Sequence, residues 1–251
     1  MISQGVKMHL PHLKPNLVQQ LLPNWRKIFL KKLIIFSQQR IFYEAQILTD
    51  VPLVQQALSF YRLILILLVN LVGGFRMPLP AECPVEFASI PEHFVDDAME
   101  LLLITSRVPR ALDGVVLDDF MNFIIMFMAN PLYIKNPYLR AKMVEVLNGW
   151  MQLPAMATLF EGHPFAQEHL VFNLMKLYVD IEFTGSHTQF YDKFNIRHNI
   201  AKLLGYLWQV PSHRNAWIKV AQTHQKGVYL NFLNFLINDS IFLLDESLLR
   251  V

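Results

Sequence analysis

The sequence predicts an all-α protein, an irregular α-solenoid of armadillo- or HEAT-like helical repeats. Three observations support that expectation. Apolar residues recur at helical spacing through most of the 251 residues, with almost no sustained alternation of period two. The nine glycines are few, and the fourteen prolines stand mainly between apolar runs, where helix punctuation belongs. Several predicted helices are apolar on two faces and therefore need neighbours on two sides, while short connections force those neighbours antiparallel. A stack of helix pairs meets both demands, although no strict repeat length is visible.

Composition narrows the function. A hydrophobic share of 53% and a mean hydropathy of +0.30 can fill a sizeable core. The formal net charge of +2 offers no field for gathering nucleic acid, so no nucleic-acid partner is expected. The single cysteine, Cys83, excludes an intramolecular disulfide framework and suits a reducing compartment. Residues 1–20 lack a signal-peptide core, because His9, Pro11, His12, Lys14 and Pro15 interrupt every apolar run. Leu53–Val72 comes nearest to a membrane span. Its unbroken apolar run, Leu63–Val69, is far shorter than the roughly 20 residues a span needs, so a buried helix is expected and no membrane span.

In chain order, residues 1–23 carry Pro11, Pro15 and Pro23 and are expected to be irregular. From Trp25 to about Leu48 a helix is marked by Ile28, Phe29, Leu33, Ile34, Phe42 and Ala45, with Arg26, Lys27, Lys31 and Lys32 as a basic face. That face suits a membrane surface or an acidic partner, and equally a plain solvated side. Asp50-Val51-Pro52 opens a helix that ends at Gly73-Gly74. The proline-rich stretch after it forbids helix and central strand, which marks residues 75–88 as an extended connector and a hinge between two halves. Ser89 and Glu92 have capping-box spacing before a helix burying Phe94, Ala98, Leu101 and Leu102.

Asp113 or Asp118 opens the next helix, whose residues Phe120–Ala129 are apolar except at Asn122 and should be enclosed all round. Asn136-Pro137 caps a helix reaching about Met151. Pro154 and Gly162-His163-Pro164 mark loops around a short segment. Gln167–Phe183 bears two apolar stripes, Leu170, Leu174, Leu177, Tyr178, Ile181 and Phe172, Met175, Val179, Phe183. Gly185 follows as a C-cap, and Asn195 stands as the N-cap of a helix ending before Pro211. Phe190, Tyr191 and Phe194 between those caps call for burial, since large aromatics gain stability only when enclosed. Ser212 caps Arg214–Gln225, and Gly227 separates that helix from Val228–Leu249. Roughly eight to ten helices result.

No catalytic site, cofactor site or metal site is expected. His187, Asp192 and His198 share one connector at spacings that match no zinc pattern. Asp96, Asp97, Glu100 and Asp118-Asp119 are acids where helices begin, which the helix dipole favours. Cys83 has no neighbouring base to favour its thiolate. The one binding pattern lies on the last helix, where Asn231, Asn234, Asn238 and Asp245 recur beside Leu230, Leu233, Ile237, Ile241 and Leu244. Such an asparagine row can hydrogen-bond an extended peptide, or be a solvated polar face. Taken alone, the residues describe a non-catalytic scaffold that binds a peptide or protein.

The stretch T-G-S-H-T-Q-F-Y-D-K-F-N-I-R, Thr184–Arg197, resembles the central core of the ubiquitin conjugation factor E-four family, U-box ligases that extend ubiquitin chains. Phe60–Pro80, Glu86–Leu102, Leu112–Met128, Asn136–Asn148, Leu207–Trp217 and Gly227–Ser240 continue the resemblance colinearly over roughly Ile41–Leu249, leaving residues 1–40 as a poorly placed first segment. The resemblance implies a helical solenoid core, here residues 41–251, ahead of a U-box that docks the conjugating enzyme. It implies a role in protein quality control and degradation from the endoplasmic reticulum, in cytoplasm and nucleus. The implied partners are the ubiquitin machinery, a segregase ATPase of the AAA class and substrates. No U-box pattern occurs within these residues, so the expectation is a core scaffold without ligase activity of its own. The alternative is a stand-alone adaptor.

Overall fold

Proline and glycine set most of the helix boundaries. The computed structural model describes residues 26, 28–39, 50–106, 108, 110–181 and 190–248, and every regular element among them is helical. The chain divides into two compact units, Met1–Asp50 and Val51–Val251. In the first, residues 28–39 form helix α1, whose apolar Ile28, Phe29, Leu33 and Ile34 and basic Arg26, Lys31 and Lys32 are all exposed. The expectations for residues 1–23, for Lys27, and for the C-terminal part of the Trp25–Leu48 helix lie outside the described residues.

The second unit contains α2 (Val51–Leu71), α3 (Val85–Ala88), α4 (His93–Thr105), α5 (Asp118–Phe127), α6 (Pro137–Met151), α7 (Pro154–Gly162), α8 (Pro164–Asp180), α9 (Phe190–Gln209), α10 (Pro211–Thr223) and α11 (Val228–Leu248). Four of these open on proline, whose missing N–H costs nothing where the helix has no acceptor for it. Asn136 caps α6 as expected, its Oδ1 accepting from the Tyr138 N–H at 3.0 Å. His163 caps α8 the same way, Nδ1 accepting from the Ala166 N–H at 3.2 Å.

Several boundaries differ from the sequence reading. Pro154 and Pro164 begin α7 and α8 and do not mark loops. Ser212 is no cap, because α10 has already started at Pro211 after the extended Val210. The Ser89 hydroxyl donates backwards to the Val85 carbonyl at 2.7 Å and closes α3, so the capping box before α4 does not form. Asn195 lies inside α9, which begins at Phe190. Its exposed side chain costs little there, while Phe194 and the buried Arg197 on the same helix hold the inner face. The Gly185 cap and His187 lie outside the described residues, as do the side chains of Phe190 and Tyr191.

The core follows the predicted stripes closely in the middle of this unit. Every residue from Phe120 to Ala129 is buried except Asn122. On α8 and just past its end, Leu170, Leu174, Leu177, Tyr178 and Ile181 are all buried, with Met175 and Val179 beside them. The inner face of α4 is Val95, Ala98, Met99 and Leu102, while Phe94 and Leu101 are half-buried, a shift of one position from the predicted stripe. Packing arranges the helices in two rows. α4 packs on α6 and α6 on α9, while α5 packs on α8 and α8 on both α10 and α11. α8 also touches α7 and α9, so it meets five other helices.

α2 is buried on one face only. Val54, Leu58, Leu65, Leu68 and Val69 pack towards α4 and α5, and Leu53, Phe60, Leu63 and Leu67 are exposed. By length and composition α2 could cross a membrane. Midway along it the Arg62 Nε donates to Asp119 Oδ2 at 2.6 Å, a pairing that belongs to its packed face. After α2 the chain reverses through Gly73 and Gly74 at φ +98° and +89°, backbone that L residues rarely adopt. The proline-rich connector is fastened where its carbonyls lack ladder partners: the Tyr133 hydroxyl donates to Pro80 O at 3.0 Å, and Leu79 and Phe87 are buried.

Candidate functional site

The candidate face belongs to α11, and its orientation is set by what holds that helix. Phe232, 2% exposed, meets Tyr178 of α8 edge-on at 5.1 Å and Trp217 of α10 at 6.1 Å. Phe242 stacks flat on Phe194 of α9 at 5.2 Å. Between them Asp239 points inward. Arg197 Nη1 donates to both of its carboxylate oxygens at 3.0 and 2.9 Å, and the Tyr178 hydroxyl donates to Oδ2 at 2.7 Å. Arg197 Nε donates to the Tyr178 carbonyl at 3.1 Å, and its guanidinium lies over the rings of Tyr178 and Phe235. Burial, and then the bond to Asp239, push the Tyr178 phenol well above its ordinary value, so it is a fixed donor.

That clamp turns Asn231, Asn234, Asn238 and Asp245 outwards. All four are exposed, and none of their side chains hydrogen-bonds another described residue. The apolar residues beside them are also outward: Leu230, Ile237, Ile241 and Leu244 are 47%, 56%, 53% and 63% exposed, and Leu233 is half-buried. Two apolar stripes compete on α11. The one bearing three phenylalanines and the Asp239 pair takes the interior, because it buries more area and satisfies Arg197. Asp239 was missed in the sequence. Its signal was an acid at helical spacing within the series Phe232, Phe235, Phe242. The outward surface therefore combines free amides, which can pair with peptide backbone, with apolar side chains that can be buried by a partner.

Several of the acids singled out in the sequence are engaged in holding helices together. Lys142 Nζ lies 2.6 Å from Asp96 Oδ1 and 2.9 Å from Glu100 Oε2, tying α6 to α4. Burial alone would lower the Lys142 pKa, but those two hydrogen bonds carry it upwards. Asp119 holds Arg62, and Asp192 accepts from the Tyr138 hydroxyl at 2.7 Å. Burial pushes the Cys83 thiol upwards, away from thiolate. Among the described residues no three histidine, cysteine or acidic side chains converge as metal ligands.

A family model described as the ubiquitin elongating factor core matches residues 6–251. The chain belongs to that family. Over 226 residues it is 69% identical to the probable ubiquitin conjugation factor E4 of Arabidopsis thaliana, covering 88% of this chain and 22% of that protein. It is 31% identical over 221 residues to ubiquitin conjugation factor E4 of Schizosaccharomyces pombe, covering 81% of this chain and 22% of the relative. With the E4 ubiquitin-protein ligase UFD2 of Saccharomyces cerevisiae it shares 34% over 179 residues, 68% of this chain and 18% of the relative. The chain thus spans about a fifth of the length of the curated relatives it matches. Every regular element among the described residues of this elongating factor core segment is helical, and the α11 face lies inside the matched region.

Proposed function

We propose that this core segment is a non-catalytic helical scaffold of a ubiquitin-chain elongation factor, an irregular α-solenoid of armadillo-like character that positions partner proteins. The observation behind it is the two-row packing. α4, α6 and α9 pack in succession, as do α5, α8 and α10, and α9 packs on both α8 and α10. Relatives named ubiquitin conjugation factor and ubiquitin-protein ligase supply the biochemical setting. On this reading the partners are the ubiquitin machinery, a segregase of the AAA class and substrates marked for degradation, in cytoplasm and nucleus. Asn231, Asn234, Asn238 and Asp245 form a partner-contact row, and the segment supplies position without chemistry or cofactor.

The test uses the full-length protein carrying this core, with those four residues changed to alanine, supplied with ubiquitin, activating enzyme and conjugating enzyme. The expected result is an unchanged circular dichroism spectrum with weaker partner capture and shorter chains. Unchanged capture and chain length would overturn the role given to α11. A stand-alone adaptor reading draws on the same exposed amides and apolar side chains. It is separated by the same assay, since it expects capture to fall while chain length stays constant.

A further inference from the structure

Apart from α11's outward row, a groove runs along α8 beside the proline-rich connector. Two hollows of about 700 and 270 Å³ share Met77, Pro78, Phe172 and Asn173 in their walls, and so lie side by side along α8. Asn173 lines both. It is 3% exposed, and its Nδ2 is fixed by donating to the Ile125 carbonyl of α5 at 2.7 Å. Its Oδ1 accepts from no described residue and opens onto the groove, leaving a held, unused acceptor among apolar walls.

The two ends of the groove carry positive charge. Lys176 lines the smaller hollow and Lys219 of α10 the larger, and neither ammonium lies in an ion pair with a described carboxylate. The acid among the described lining residues, Glu168, faces His169 at 3.7 Å. The geometry points to a binding site for an extended peptide of a partner protein, in which an apolar side chain is flanked two residues away on each side by a carboxylate. Lys219 stands close enough to His169 to act on its ring, so it marks the Glu168 end of α8. From Glu168 to Lys176 the helix rises about 12 Å, which about four extended residues cover. In that conformation side chains at i, i+2 and i+4 share one face. The outer two reach the lysines, the middle one enters between Phe172 and Val220, and a backbone N–H donates to Asn173 Oδ1. This inference does not depend on the ubiquitin assignment.

The test measures fluorescence anisotropy of the chain with a fluorescein-labelled heptapeptide, Gly-Glu-Ala-Leu-Ala-Glu-Gly, against the same peptide with lysine in both glutamate positions. Saturable binding of the acidic peptide is expected with Kd below about 1 mM, weakened about tenfold by Lys219→Glu, which places like charges together. Asn215→Trp, at an exposed position in the groove wall, should abolish it. Both substitutions are on the surface of α10, so folding is preserved. Asn173→Leu probes the amide directly, and is read only alongside an unchanged melting curve because it also strands the Ile125 carbonyl. Equal binding of both peptides, no saturable binding, or affinity indifferent to Lys219→Glu and Asn215→Trp would each overturn the proposal, as would light scattering showing a second copy of the chain seated in the groove.

Discussion

Arg140 and Arg197 are both almost excluded from water, yet their guanidinium groups meet opposite fates. Arg197 is held by Asp239, a backbone carbonyl and two aromatic faces. Removing one partner of such a pair leaves an uncompensated buried charge, so Asp239→Ala should cost about 3–5 kcal/mol in urea unfolding. A loss below about 1 kcal/mol would show the pair to be no stronger than a surface one. None of the three Arg140 nitrogens hydrogen-bonds a described residue, and burial pulls its pKa down despite the opposing field of Asp180. Arg140→Met is therefore expected to leave stability unchanged or raise it by up to about 4 kcal/mol. A drop of more than about 2 kcal/mol would contradict this account of the site. Neither fate was legible in the sequence, because both arginines simply interrupt apolar stripes. Only the packing decides that one is hydrogen-bonded by an inward acid while the other lies merely in the field of one.

At the scale of elements, local chemistry was readable wherever a residue acts through its own backbone. Asn136 before Pro137, and glycines at positive φ after α2, act within a few residues, and the structure keeps them. Where a boundary depends on a distant helix, the reading moved: α9 starts at Phe190 because Phe194 has Phe242 to stack on. The inward stripe of α11, with Phe232 and Asp239, escaped the reading for the same reason, since period alone cannot rank two apolar stripes. Phe194, expected to be largely buried, keeps part of its ring exposed. Phe194→Ala should accordingly cost about half of the 3–5 kcal/mol typical of an enclosed ring, measured by chemical unfolding. Loss of the full amount would mean that the α9–α11 seam closes more tightly than the stacking geometry indicates.

For the whole molecule, acid is the expected destabiliser. Burial lowers the pKa of His163, His169 and His213 below the ordinary 6.5. His213 is fully enclosed, its Nε2 2.8 Å from the Phe160 carbonyl. The unfolded chain takes up protons at the ordinary value while the folded rings resist, so protons favour unfolding. The stability present above pH 6.5 is lost as pH falls towards the depressed folded values. The melting temperature should therefore fall between about pH 7 and pH 5, and His213→Gln should flatten that fall. A pH-independent melt would refute it. The knot of Tyr178, Arg197 and Asp239 has a further consequence for how these helices come apart. A helix held only by apolar contacts can open by itself, at the cost of one interface. Here α11 cannot lift without stranding a guanidinium that α9 buries and a phenol that α8 fixes, so the three helices open as a single cooperative unit. Their backbone amides should exchange with deuterium at a common rate, as one foldon rather than helix by helix.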